Sequence, residues 1–206
     1  MPTPLSTPTI LRILQTQEVI PPTAEPTRRG MRWSTTTGLE HLMWLSKSAD
    51  GALQLLLNTG DAKFAPLFRE YGRFATRIRR QGNLLAVWPS KKDQADLEKL
   101  KNEAETALRF IRDRADLCDV MLEQEDLLYR GQWYAELGLF SYPTRLVKTL
   151  ILAEDLGNQT LIEDARRRIH SGIATAPNGD EVDVLRSSRE VAKEYGKILG
   201  RPIDVG

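Results

Sequence analysis

Between Ser90 and Arg130 apolar residues return at Leu97, Leu100, Ala104, Ala107, Leu108, Ile111, Ala115, Cys118, Met121 and Leu122. Steps of three and four place them along one side of an α-helix. The intervening Glu98, Lys101, Glu105, Arg109, Arg112, Asp113 and Asp116 are charged and line the opposite, wet side. Ser90 followed by Asp93 reads as a capping box, and no glycine or proline intervenes before Gly131. The pattern predicts one helix over about residues 91–130, roughly 60 Å long at the usual rise per residue, on which other helices dock.

The same periodicity predicts further helices. Leu39, Leu42, Met43, Leu45, Ala49, Leu53 and Leu56 give a core face to a helix from Thr37 to Asn58, stopped by Gly60. Pro66 suits the first turn of a second helix, over residues 66–81 and ended by Gly82 and Asn83, with Phe64, Leu67, Tyr71, Phe74, Ala75 and Ile78 on one side and Arg69, Arg73, Arg77 and Arg80 on the other. Leu127 to Leu139 continues helical past a kink at Gly131. A helix from Thr144 to Leu156 ends at Gly157, and Asn158 caps another to Ser171. Val182 and Val184 alternate with acids beyond the turn residues Pro177, Asn178 and Gly179, which predicts a small hairpin. Ser187 with Glu190 then opens a last helix to Leu199.

Prolines set the N-terminus apart. Pro2, Pro4, Pro8, Pro21, Pro22 and Pro26 each fix φ and bias the preceding residue towards extended backbone. Residues 1–36 therefore read as an extended proline-rich arm, 37–172 as a helical bundle, and 173–206 as a C-terminal hairpin-plus-helix appendage. The expected fold class is all-α.

Composition narrows the function classes. A chain of 206 residues, 41% hydrophobic and 28% charged, is apolar enough to fold around a core. Its 29 Lys plus Arg against 28 Asp plus Glu give no global field, so charge recognition must be local. The single cysteine, Cys118, excludes an internal disulfide and a multi-cysteine zinc cluster, and its place on the apolar stripe makes it a buried small hydrophobe. No apolar run reaches the roughly 20 residues of a membrane helix, and no signal-peptide pattern opens the chain. A cytoplasmic location with no membrane partner is expected.

Candidate chemistry is sparse. His41 and His170 are the only histidines. No phosphate loop, nucleophile elbow or His-x-x-x-His pair occurs, and the acids Asp113, Asp116, Glu123, Glu125 and Asp126 read as a solvated face. Asn178, Asp180, Glu181 and Asp183 lack the ligand order of a calcium loop. No catalytic residue, metal or cofactor is expected. Arg69, Arg73, Arg77 and Arg80, with Lys91 and Lys92 nearby, form a face suited to phosphates or to a partner's carboxylates. Ile10, Ile13, Leu14 and Trp33 give the arm apolar anchors, and Arg28 and Arg29 lie in an acid-poor stretch suited to an anionic surface. Leu150 to Ile169 resemble a helix-turn-helix unit in the spacing of Ala153, Leu156 and Gly157, but Glu163 stands where that motif needs an apolar residue. The expected function is a non-enzymatic structural or adaptor subunit contacting other protein subunits through the arm and the arginine face. Nucleic-acid binding through that face is the alternative.

Overall fold

A computed structural model describes residues 5–47, 53–68, 78–81, 94–124, 127–130, 133–136, 141–175 and 179–206. In chain order they form α1 (Thr7–Thr16), β1 (Glu25–Pro26), β2 (Met31–Ser34), β3 (Leu39–Lys47), β4 (Leu53–Asp61), α2 (Ala65–Phe68), β5 (Ile78–Gln81), α3 (Gln94–Leu108), α4 (Arg114–Leu122), β6 (Leu127–Arg130) and β7 (Trp133–Glu136). They continue with α5 (Tyr142–Leu156), α6 (Gln159–Ile169), β8 (Ile173–Thr175), β9 (Glu181–Asp183) and α7 (Val184–Leu199). The fold is mixed α/β: a seven-stranded sheet, four of whose strands form an antiparallel run from β1 to β4, and a two-stranded antiparallel one overturn the all-α expectation. The chain divides into two compact units, Met1–Ala62 with Arg79–Arg112 and Tyr129–Ala135, and Lys63–Ile78 with Asp113–Leu128 and Glu136–Gly206.

In the first unit, β1, β2 and β3 each pair antiparallel with the next strand in sequence; Trp33 faces His41, which in turn faces Thr59. Leu39, His41, Met43 and Leu45 are buried while Glu40, Leu42, Trp44 and Ser46 between them are half-buried, the period-two alternation of a strand. This corrects the helix expected from Thr37 to Asn58. Leucine suits both conformations, and the inward row of β3 contains a histidine, so a count of apolar residues alone hides the alternation. β4 is buried on both faces, with Leu53, Leu55, Leu56, Leu57 and Thr59 all inside. Beyond β4 the strand order continues β5-β7-β6. β5 replaces the C-terminal end of the helix expected over residues 66–81, and β6 and β7 replace parts of the one expected over Leu127 to Leu139.

The N-terminal segment is not an extended arm. Ser6 caps α1 by accepting from the Thr9 amide, and Ile10, Leu11 and Leu14 on its inner face are buried with Ile20, Ala24, Met31 and Trp33. The helix packs on β3, and α3 packs against β4. Each aliphatic side chain buried in this way contributes roughly 1.5–3 kcal/mol, which favours folding the segment into its own unit over extending it.

The long helix is also corrected. Leu97, Leu100, Ala104 and Ala107 are buried on α3 as the stripe predicts, but the helix ends at Leu108. Asp113, in extended geometry at φ −151°, accepts from the Asp116 amide and caps a new helix, α4. The break shifts the phase: Ala115 is exposed, whereas Leu117 and Val120, outside the predicted stripe, are buried. The proposed start at Ser90 and Asp93 lies outside the described residues.

The second unit is organised on α5, whose residues from Tyr142 to Ala153 are all buried. A helix covered on every side must have neighbours all round; α4, α6 and α7 supply them. Gly157 in left-handed geometry ends α5, and Asn158 accepts from the Leu161 amide to begin α6. Strands β8 and β9 pair with Ala174 opposite Val182, and α7 buries Val184, Ser188, Val191, Ala192 and Tyr195. The closing helix therefore belongs to the core of its unit and is not an appendage. Among the described residues no helix is long and apolar enough to cross a membrane.

Candidate functional site

Residues that could carry chemistry are largely taken up by folding. His41 is buried on β3, hydrogen-bonded through Nδ1 to Thr59 Oγ1 at 2.9 Å and 5.3 Å from the Trp33 ring. The His170 Nε2 lies 3.1 Å from the Val205 carbonyl oxygen and ties the C-terminal tail to the end of α6. Cys118 is buried on α4. Asp113 and Asp183 are helix caps, and Asp116 supplies a capped amide to the first of them.

Two arginines that the sequence pattern did not single out, Arg145 wholly buried and Arg168 half-buried, hold the second unit together. Arg145 Nη1 donates to the Met121 carbonyl at 3.1 Å and to the Glu123 carbonyl, while its guanidinium lies 5.1 Å from the Tyr142 ring. Arg168 Nη1 donates to the intervening Leu122 carbonyl at 2.9 Å. Three successive carbonyls at the C-terminus of α4 thus receive charged donors, where the helix dipole favours positive charge. Burial alone would lower the basicity of Arg168, but the Tyr142 hydroxyl and the Asp164 carboxylate outweigh it and hold the guanidinium above its ordinary value. Lys148, also fully buried, places Nζ 4.7 Å from the Phe68 ring centroid and 5.6 Å from that of Tyr195. Asp155 near the end of α5 binds Lys63 and, at 2.8 Å, Arg114. The Lys63 ammonium and then the Arg114 guanidinium hold its carboxyl below the ordinary value, against the opposing effect of burial.

The first unit carries cations of another kind. Thr27 closes the turn between β1 and β2: its amide donates to the Gly30 carbonyl at 2.7 Å, and its hydroxyl oxygen accepts from the amides of Arg29 and Gly30. Gly30 lets this turn close on β3, because a Cβ there would lie 2.0 Å from the Met43 carbonyl oxygen. Beside the turn, Gln15 on α1 donates to the carbonyls of Pro21 and Pro22 at 3.2 Å each and holds the intervening loop along the helix. Between α1 and the turn lies a cleft of about 260 Å³, with Arg12, Arg28 and Arg29 at its rim and Leu11 and Met31 at its floor. Among the described residues no carboxylate lines it. All three arginines are exposed, and among the described residues none of their guanidinium groups enters an ion pair. Such a cleft can receive an anionic group through forked, charge-assisted hydrogen bonds.

Of the predicted arm contacts, Arg28 and Arg29 therefore come together at a cleft, joined by Arg12, which the sequence pattern did not single out. Ile10, Leu14 and Trp33 are buried in their own unit and Ile13 is half-buried. Of the predicted arginine face, Arg69, Arg73 and Arg77, with Lys91 and Lys92, lie outside the described residues, and Arg80 falls in β5. The signal for Arg12 was its position on the outer side of an amphipathic segment beside an acid-free stretch. Compared with protein-family models, curated proteins and solved structures, the chain matches none.

Proposed function

We propose that this protein is a non-enzymatic adaptor subunit of a larger cytoplasmic assembly, holding an anionic surface of a neighbouring subunit in the cleft rimmed by Arg12, Arg28 and Arg29. The observation that carries this reading is that three exposed arginines line one cleft with no carboxylate among its described lining residues. Surface cations in folded proteins commonly face acids of their own chain, as Arg32 faces Glu40 at 3.8 Å. The tight Thr27–Gly30 turn fixes the backbone under Arg28 and Arg29, so less order is lost when a partner binds.

The test is the double charge reversal Arg28→Glu with Arg29→Glu, isolated from the native source and sized by light scattering. The expected outcome is a lighter species lacking the neighbouring subunit, with the thermal transition unchanged. An assembly of unaltered mass and composition would defeat the proposal. Copurifying nucleic acid that is lost in the same variant would replace the protein partner with a phosphate backbone. Deleting residues 1–34 cannot serve instead, because it removes Ile10, Leu14 and Trp33 from the unit's own core.

A further inference from the structure

We infer that the outer side of α7 is a second docking groove, built for an acidic amphipathic helix of a partner protein. This rests on a different surface from the arginine cleft and does not depend on it. Arg189, Lys193 and Lys197 recur at four-residue steps along α7, and Arg201 follows on the tail beyond it. All four are exposed and line a groove of about 550 Å³ with Ala192, Gly196, Pro202, Ile203 and Val205. Among the described residues no carboxylate lines it.

The groove is held open by the fold. Gly200, left-handed at φ 66°, turns the chain back, and the Arg201 amide donates to the Gly196 carbonyl at 3.1 Å. Gly196 permits this approach, since a Cβ there would lie 2.9 Å from the Arg201 carbonyl oxygen. Farther along, Val205 meets His170, and Arg166 donates to the Asp204 carboxylate at 3.4 Å, so the far wall is pinned to α6. Lys197 pairs with Glu194 at 2.8 Å, holding that carboxyl below its ordinary value, and Arg201 pairs with Glu154 at 3.2 Å. Arg189 and Lys193 enter no ion pair among the described residues.

Two features choose the occupant. The floor is aliphatic and, among the described residues, no aromatic side chain lines the groove, so bases have nothing there to stack on and single-stranded nucleic acid is disfavoured. The cations advance about 6 Å per four-residue step, the same interval at which carboxylates recur on one face of an opposing helix. An amphipathic helix with apolar side chains on the floor and Asp or Glu towards Arg189 and Lys193 satisfies both.

The test uses the full chain and three labelled probes followed by fluorescence anisotropy: a stapled helical peptide with leucines on one face flanked by glutamates, the same peptide with lysines for glutamates, and a single-stranded oligonucleotide. The glutamate peptide should bind at least tenfold more tightly than either of the others. Charge reversal by Arg189→Glu with Lys193→Glu should weaken it at least tenfold, with the melting curve unchanged. Should that variant fail to fold, Arg189→Ala with Lys193→Ala should still weaken it about fivefold. No glutamate-peptide binding, binding indifferent to these substitutions, or tighter binding of the oligonucleotide would overturn the inference. So would a dimer of this chain that the charge reversal dissociates, because the groove would then be filled by a second copy.

Discussion

The cations around α5 and those beside α1 are the same residue types in opposite circumstances. Arg145 and Arg168 give donors to the carbonyls of Met121, Leu122 and Glu123, and Arg145 is wholly buried. Arg12, Arg28 and Arg29 are exposed and, among the described residues, enter no ion pair. What separates them is the supply of acceptors: where the chain ends a helix beneath an arginine, the charge is part of the scaffold, and where no described residue pairs with it, the charge is the one the proposed partner would meet. Removing the first kind should damage folding; removing the second should damage association alone.

The most severe break of that contrast is Arg145→Ala, which leaves buried carbonyls of α4 without their donor and opens a cavity. The expected loss is roughly 3–5 kcal/mol, read as a lowered urea midpoint, and a midpoint within error of the parent would undo the scaffold assignment. Gly30→Ala keeps every arginine but drives a methyl into the Met43 carbonyl oxygen. It should cost about 2–4 kcal/mol and disturb the cleft as well, a combination that separates turn geometry from charge.

Asp155→Asn should cost roughly 1–2 kcal/mol at neutral pH, given that Lys63 is largely exposed and Arg114 is not. Because the folded carboxyl is held below its ordinary 3.8, its contribution is complete above that value and disappears as pH falls through the lower, folded value. The stability gap between parent and variant should therefore close in acid, below about pH 4; a gap constant from pH 7 to pH 2 would show that the ion pairs are not its source. The smallest effect is expected from Arg28→Glu with Arg29→Glu, within about 0.5 kcal/mol of the parent. A larger change in the unfolding transition would mean that these arginines serve the fold.

The C-terminal third was the most legible part of the sequence. Gly157 and Asn158 mark the junction of α5 and α6 as their types imply, and the β8–β9 hairpin lies either side of the predicted turn. Even there Asp183, three residues before the amide it accepts from, starts α7 ahead of the Ser187 box. Elsewhere local signals lost to tertiary pairing. The leucine-rich stretch of β3 and β4 fits a helix until Trp33, His41 and Thr59 align across three strands. A helical stripe also continues in register past Leu108, although Asp113 restarts the chain in a new phase. The candidate cleft was half visible: Arg28 and Arg29 stood in an acid-poor stretch, but their meeting with Arg12 needs the return of the chain along α1. Arg145 carried no sequence signal, since an arginine amid apolar residues reveals its role only when a helix end lies beneath it.

The meander of β1 to β4 bears on the order in which the molecule is made. Each strand bonds to the one synthesised just before it, so only short loops must close and little chain entropy opposes it. A nascent polypeptide can set this register while everything beyond Asp61 is still on the ribosome, and α3, beginning at Gln94, then arrives at a β4 already in place. A cotranslational force profile with its first peak before Gln94 emerges is the signature of that sequence of events.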